Sequence, residues 1–236
     1  MEKIGVIRGD KRMEYLCRAL DGDGFDAVMF DNKADADCDT VILPIGMDGS
    51  GMRAGYVFAT HGDNVINYAK SAYFKARNAL PTAEGAIQIM MENTDFTVSG
   101  CRCAVLGYGC CGKAIVDRLI LLNADVTAVA RNETDRAIAE NRGAKSLGFD
   151  SLEGLDASVI FNTVPSRILT QDILRTLSPK TLIIDIASLP GGVDFESAGA
   201  LGIKTIHALG IPGKYAPKTA GEVLKDTVLS LLRGVK

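Results

Sequence analysis

Apolar and polar positions follow two kinds of periodic pattern along this chain. Short apolar runs rich in β-branched residues are separated by stretches in which apolar residues recur at helical spacing. In the first third of the chain these runs lie at 3–8, 27–30 and 40–44. A helical pattern follows the first run, and another is expected over 65–74. Strands alternating with helices predict a parallel sheet, so we predict a small α/β domain over residues 1–79.

The same alternation is stronger from Cys101 onward. Strand-like runs lie at 101–107, 125–130, 145–149, 157–162, 181–187 and 203–208. Helical patterns separate these runs, and Pro81 suits the first turn of a helix that connects the two parts over 80–94. The sequence therefore predicts a doubly wound parallel sheet, a Rossmann-like α/β domain, over 95–236. An amphipathic helix over about 219–232 is expected to close this domain.

A glycine motif of the form G-x-G-x-x-G follows the run at 101–107 and opens a helical pattern. Glycines at these places permit a tight turn, close approach of a pyrophosphate, and close contact of helix and strand. The N–H groups at the start of the helix then bind the anion. We expect six residues of this motif to bind a dinucleotide: Gly107, Tyr108, Gly109, Cys110, Cys111 and Gly112.

The end of the second strand predicts which dinucleotide binds. NAD sites usually carry Asp or Glu there, whereas this strand ends in Arg131 followed by Asn132, nineteen residues beyond Gly112. A guanidinium at this place matches a ribose 2′-phosphate, so NADP is favoured over NAD. Glu133 is the residue that could restore a preference for NAD.

Ligands of an open parallel sheet bind beyond the carboxyl ends of its strands. The turns after the runs at 157–162 and 181–187 are therefore expected to contact the nicotinamide and the substrate. The cofactor contacts predicted in these turns are Thr163, Val164, Pro165 and Ala187. Ser188 is a catalytic candidate, and Asp185 is expected to orient its turn.

Composition narrows the range of partners. The chain has 26 Lys and Arg against 29 Asp and Glu, a net charge of -3, so no uniformly basic surface is expected for nucleic acid. No apolar run reaches the length of a membrane span, and the N-terminus lacks a signal-peptide pattern, which predicts a cytoplasmic protein. The six cysteines are not spaced as zinc ligands, so we predict no metal site.

Several longer strings resemble a known family, the A subunit of bacterial dipicolinate synthase. The similarity is strongest over about 79–233. It rests on Leu80–Gly85, Val105–Gly109, Asn162–Ser166, Leu182–Ser188, Pro190–Gly192, Gly210–Gly213 and Ala216–Gly221. The N-terminal part is similar at Ile7–Arg12 but is shortened through 45–75. Position 189 departs from the family pattern, because Leu stands where Arg is expected.

The resemblance implies an NADP-dependent oxidoreductase of spore dipicolinate biosynthesis. The expected reaction dehydrogenates a dihydrodipicolinate-type ring to the pyridine dicarboxylate. The expected partners are a small dicarboxylate substrate, further copies of the chain in a homo-oligomer, and a flavoprotein-like B subunit. Lys218, in the string Ala216–Gly221, could bind a carboxylate or act as a base, and Arg167 could contact the substrate.

Two other functions remain open from the sequence. The chain could be a non-catalytic NAD(P)-binding module, or it could be a dehydrogenase or reductase of another small carboxylic acid, which the departure at Leu189 would allow. His207 and Glu84 are more simply explained as a histidine of a strand and a helix-dipole carboxylate.

Overall fold

The computed structural model describes residues 2–235, in eleven strands and eight α-helices. The strands are β1 (Lys3–Ile7), β2 (Asp26–Phe30), β3 (Thr40–Ile42), β4 (Tyr56–Ala59), β5 (Ile66–Asn67), β6 (Arg102–Leu106), β7 (Asp125–Val129), β8 (Lys145–Leu147), β9 (Val159–Asn162), β10 (Leu182–Asp185) and β11 (Thr205–His207). The helices are α1 (Lys11–Gly22), α2 (Ala72–Asn93), α3 (Cys110–Leu121), α4 (Glu133–Asn141), α5 (Gln171–Thr176), α6 (Phe195–Ala200), α7 (Ile211–Tyr215) and α8 (Pro217–Val235). None of the helices within 2–235 is long and apolar enough to cross a bilayer.

The chain divides into two units. Residues up to Pro81 and from Pro212 onward form the first, and Thr82–Ile211 form the second. The first unit holds a five-stranded parallel sheet in the order β2-β1-β3-β4-β5. The start of α1 is fixed by Asp10, whose side chain accepts a hydrogen bond from the backbone N–H of Arg12 at 3.1 Å.

The last helix belongs to the first unit, which differs from the predicted boundaries. The sequence assigns residues 95–236 to one domain, but the apolar face of α8 packs into the core around α1. Buried residues of this core from the two helices are Leu16, Leu20, Val223, Leu224, Val228 and Leu232. Helical spacing reveals that α8 has an apolar face, but it does not reveal which unit covers that face.

The second unit holds a six-stranded parallel sheet in the order β11-β10-β9-β6-β7-β8. Numbered within the unit, this is the strand order 3-2-1-4-5-6 of the dinucleotide-binding fold, read from the other edge. The predicted α/β class, a Rossmann-like domain with a smaller α/β domain, is confirmed. Each strand predicted for this unit is present, and the predicted ends lie within two residues of the observed ones.

The secondary structure of the region before the second unit differs more from the prediction. The helix expected over 65–74 is replaced by β5, which pairs with β4, and by a 3₁₀ turn at Tyr68–Lys70. The connecting helix expected over 80–94 is the second half of α2, which begins at Ala72 and contains Pro81 in its interior. The strand β4 is also absent from the prediction. Its apolar run is short and continuous, so it lacks the alternation that marks a half-buried strand.

Candidate functional site

The glycine turn between β6 and α3 has the shape of an anion cradle. Gly107 has a φ of 95°, a conformation that L side chains rarely adopt, and a Cβ there would overlap the Thr163 hydroxyl. A Cβ at Gly112 would overlap the carbonyl oxygen of Gly107. Gly109, by contrast, has no neighbour within 4 Å of an added Cβ. The tight turn therefore requires glycine at positions 107 and 112, whereas open space remains beside Gly109.

The open glycine also begins α3. Gly109 is the N-cap residue and provides no side chain to accept from the first N–H groups of the helix. Together with the helix dipole, these N–H groups favour a negatively charged ligand. The residues present therefore fit a pyrophosphate, which the backbone N–H groups of Gly109, Cys110 and Cys111 would hold.

The side chain of Tyr108, another residue predicted to contact the cofactor, packs inside the protein. Its side chain is 5% exposed, and its hydroxyl has no hydrogen-bond partner within residues 2–235. The Lys113 ammonium lies 5.1 Å from the ring centroid, and burial raises the pKa of the Tyr108 hydroxyl. Only the backbone of Tyr108 is available to a ligand in this arrangement.

The two cysteines at the start of α3 have unlike surroundings. Cys110 is exposed, whereas Cys111 is half-buried, and burial raises the pKa of the Cys111 thiol. Both are free thiols. Across residues 2–235 no group of three or more His, Cys, Asp or Glu side chains could hold a metal ion.

A cleft of about 600 Å³ lies beyond the ends of β7 and β8. Arg131 and Arg136 line it together with Gly148, Phe149 and neighbouring residues. Arg136 donates to the carbonyl oxygens of Ala130 at 3.2 Å and Arg131 at 3.3 Å, which fixes its guanidinium beside Arg131. Arg136 is not predicted from the sequence. Its position four residues after Asn132, on the first turns of α4, is the signal that could have revealed it.

Asn132 and Glu133, which follow Arg131 in the sequence, interact with residues of α4. The side chain of Asn132 accepts a hydrogen bond from the N–H of Asp135 at 2.7 Å and so caps α4. Glu133 is exposed, and its carboxylate lies 3.8 Å from the Arg136 guanidinium. The cleft is therefore lined by two arginines and the Asp150 carboxylate, and the Glu133 carboxylate lies close to Arg136.

Buried polar groups hold the turns after β9 and β10. The Asp185 carboxylate accepts hydrogen bonds from the Asn162 amide at 2.8 Å, from the N–H of Ala187 at 3.0 Å and from the N–H of Gly192 at 2.8 Å. The Asn162 side chain also bonds both the N–H and the carbonyl of Val164 at 3.1 Å. These bonds orient the turn after β10, which is the role expected of Asp185.

The same bonds place the predicted contacts of the two turns. Thr163 donates its hydroxyl to the carbonyl of Leu106 at 2.9 Å, which brings it beside the glycine cradle. Pro165 is exposed, and Ala187 is buried. His207 has a structural place, because its Nε2 lies 3.1 Å from the carbonyl oxygen of Ala187 and its ring stacks on Phe195.

The catalytic candidates lie in both units. Ser188 is exposed in the turn after β10, and Arg167 is exposed with its guanidinium 3.8 Å from the Asp194 carboxylate. Lys218 is exposed on the first turn of α8, in the first unit. Leu189, where the family pattern expects Arg, is 72% exposed. The predicted cofactor contacts thus all lie in the second unit, and Lys218 lies in the first.

The fold is similar to that of a known dehydrogenase. D-lactate dehydrogenase from Escherichia coli superposes with a TM-score of 0.74 at 17% identity, covering 99% of this chain and 98% of that one. The chain therefore has the fold of two-unit dehydrogenases with a Rossmann-type unit. No profile of a known protein family matches the sequence.

Closer relatives define the family. The A subunit of dipicolinate synthase from Bacillus subtilis is 40% identical over 161 residues, which are 67% of this chain and 54% of that protein. The crystal structure of the A subunit of dipicolinate synthase from Bacillus halodurans superposes with a TM-score of 0.87 at 26% identity, covering 98% of this chain and 97% of that one. The chain belongs to the family of dipicolinate synthase A subunits. The sequence match spans about half the length of the curated relative.

Proposed function

We propose that the chain is an NADP-dependent oxidoreductase that dehydrogenates a dihydrodipicolinate-type ring to dipicolinate. The observation that carries this proposal is the glycine cradle of the second unit together with the cleft lined by Arg131 and Arg136. Membership in the family of dipicolinate synthase A subunits supports the choice of substrate. A relative that is one subunit of a synthase also supports a second subunit, B, which we propose to be flavoprotein-like.

The residues that would hold NADP follow from the geometry of the second unit. The backbone N–H groups at the start of α3 would bind the pyrophosphate, and the two arginines of the cleft would bind the 2′-phosphate. Thr163, Val164 and Ala187 would line the nicotinamide side. NADP bound there would supply the acceptor for the hydride that the ring loses.

The protein has two further tasks in this reaction. The ring loses one proton as well as one hydride, so a side chain or water must accept that proton. The two substrate carboxylates also need cations or N–H donors. We assign these tasks to Lys218, Arg167 and Ser188. Formation of an aromatic ring supplies driving force, so the chain chiefly has to orient the substrate and move the proton.

The cofactor proposal is tested by titration calorimetry with NADP and NAD. We expect Arg131→Ala and Arg136→Ala each to weaken NADP binding on the order of 10- to 100-fold, because each removes a charge-assisted contact to the 2′-phosphate. NAD binding should change little. Arg175→Ala, at an exposed arginine of α5, is the matched control. Equal losses for both nucleotides, or none, would contradict the assignment of this cleft to the 2′-phosphate.

The substrate proposal is tested by following NADPH formation with dihydrodipicolinate, in the presence of a B subunit or without it. Lys218→Ala should lower turnover roughly 100-fold or more while NADP affinity stays unchanged, since the lysine is assigned to the substrate alone. Lys180→Ala, at another exposed lysine, serves as the control. Full turnover in the Lys218 variant would remove this residue from the site.

A second candidate function rests on Leu189. Its exposed apolar side chain replaces the cation expected for one substrate carboxylate. This observation favours a dehydrogenase or reductase of another small carboxylic acid. A panel of cyclic and open-chain mono- and dicarboxylates, assayed with NADP, separates the two candidates: activity confined to dihydrodipicolinate supports the first, and faster turnover of a monocarboxylate supports the second.

A further inference from the structure

The start of α1 contains a buried arginine whose hydrogen bonds are incomplete. The Arg12 side chain is 3% exposed, and its Nη2 donates to the Asp10 carboxylate at 3.0 Å. Its Nη1 is also buried and has no hydrogen-bond acceptor anywhere in the chain from residue 2 to residue 235. Burying a guanidinium is unfavourable unless acceptors surround it, because the charge and the N–H donors both lose water. The unused Nη1 donor therefore indicates an acceptor that comes from outside the chain.

This arginine lies at the end of the first unit's sheet where parallel sheets bind ligands. The chain leaves β1 through α1 to reach β2 on one side, whereas β3 pairs with β1 on the other side. Such a reversal of strand order marks a ligand-binding crevice beyond the carboxyl ends of the strands. Gly9 comes after β1 and Pro44 after β3, and an added Cβ at Gly9 would lie 2.7 Å from the Pro44 Cβ. Glycine therefore allows the two turns to lie side by side.

The first turns of α8 lie against the first turns of α1. An added Cβ at Gly221 would lie 2.8 Å from the carbonyl oxygen of Arg12, so the two helices are in close contact there. Lys218 is exposed on α8, less than one turn before Gly221. An added Cβ at Gly213 would overlap the Asp10 carboxylate, so this stretch of the first unit also packs beside the pair. The N-terminus of α1 and two cationic side chains thus occur in one part of the first unit, and all three favour anions.

We propose that Arg12 binds a carboxylate of the substrate through Nη1, beside its ion pair with Asp10. A guanidinium has five N–H donors, so one arginine can bind Asp10 and a ligand carboxylate together. Asp10 is the member of the pair that faces solvent, with a side chain 40% exposed, so the ligand reaches Arg12 from that side. The second carboxylate is then left for Lys218. The choice of a dicarboxylate rests on the proposed function, whereas the carboxylate site at Arg12 rests on the unused donor.

The experiment is a calorimetric titration with dipicolinate and with pyridine-2-carboxylate, which lacks one of the two carboxylates, both in the presence of NADP. The wild-type chain should bind dipicolinate on the order of 10- to 100-fold more tightly, because only dipicolinate fills both carboxylate positions. Arg12→Gln should remove most of this preference and leave NADP affinity unchanged. A substitution that only loosened the fold would weaken both ligands equally, so loss of the preference identifies a contact with the ligand.

Two further variants make the comparison specific. Arg18→Gln is the matched control, because Arg18 is an exposed arginine of the same helix, and this variant should keep the full preference. Arg12→Lys keeps the charge but loses the planar fork of donors, so it should show an intermediate preference. Melting curves show whether each variant is folded, and Arg12→Lys carries the comparison if Arg12→Gln is not.

The outcomes separate this site from the proposed reaction, which is followed in parallel as NADPH formation from dihydrodipicolinate. A wild-type chain that does not bind dipicolinate, or a folded Arg12→Gln variant with the full preference, would overturn the Arg12 site and show that Nη1 serves the fold alone. NADPH formation combined with that full preference would overturn the site but not the reaction. Binding of dipicolinate that depends on Arg12, without any NADPH formation, would support the site and count against the reaction.

Discussion

Replacing Gly112 by Val is expected to abolish nucleotide binding. A Cβ at this position would overlap the carbonyl oxygen of Gly107, which is backbone and cannot rotate away. The turn between β6 and α3 would have to open, and this would displace the N–H groups proposed to bind the pyrophosphate. We expect a loss of affinity of roughly 100-fold or more and a decrease in unfolding free energy of about 3 kcal/mol.

Calorimetry with NADP and denaturant unfolding measure the two effects separately. Gly199→Ala is the matched control, because an added Cβ there meets nothing within 4 Å and the glycine lies inside α6. Alanine should stabilise that helix by about 0.5–1 kcal/mol and leave NADP binding unchanged. If Gly112→Val bound NADP as tightly as the wild-type chain, the cradle would not be the nucleotide site.

Replacing Asp185 by Ala is expected to cause the second large effect, on stability. The substitution leaves three buried donors without this acceptor: the Asn162 amide and the N–H groups of Ala187 and Gly192. Each unpaired buried donor costs about 1–3 kcal/mol, so the loss should be on the order of 4 kcal/mol. The turns after β9 and β10 should also lose their order, and NADP affinity should fall with them.

Hydrogen exchange of the Ala187 and Gly192 amides, together with denaturant unfolding, measures this effect. Asp194→Ala is a suitable comparison, because this side chain caps α6 with one bond to the N–H of Ser197 at 3.1 Å. Losing that cap should cost only about 1 kcal/mol. A loss of similar size in the two variants would show that the Asp185 network is not what holds the turns.

The second unit can be predicted from the sequence because its signals are local. Each strand is a compact apolar run, and the glycine motif lies between a strand and a helix. The bond between Asn162 and Asp185 is harder to predict, since it joins neighbouring strands 23 residues apart. The spacing of Arg136 from Asn132 is a local signal, but its place in the cleft also depends on the packing of α4 against β8 and β7.

The first unit is predicted less well. β5 has two residues, and it is a strand only because β4 pairs with it. Pro81 suggests the start of a helix, yet α2 continues through it from Ala72. Neither the strand β5 nor the continuous helix through Pro81 has a strong local sequence signal. Tertiary contacts therefore determine both structures.

The division of the first unit into two stretches of chain has a consequence for the order of folding during synthesis. Thr82–Ile211 is one continuous stretch, so all of its strands leave the ribosome before α8 does. The apolar face of α1, with Leu16 and Leu20, stays uncovered until α8 is synthesised and packs against it. The second unit can therefore be complete while the first unit is still unfinished, and a nascent chain would be most exposed to chaperones and proteases at α1.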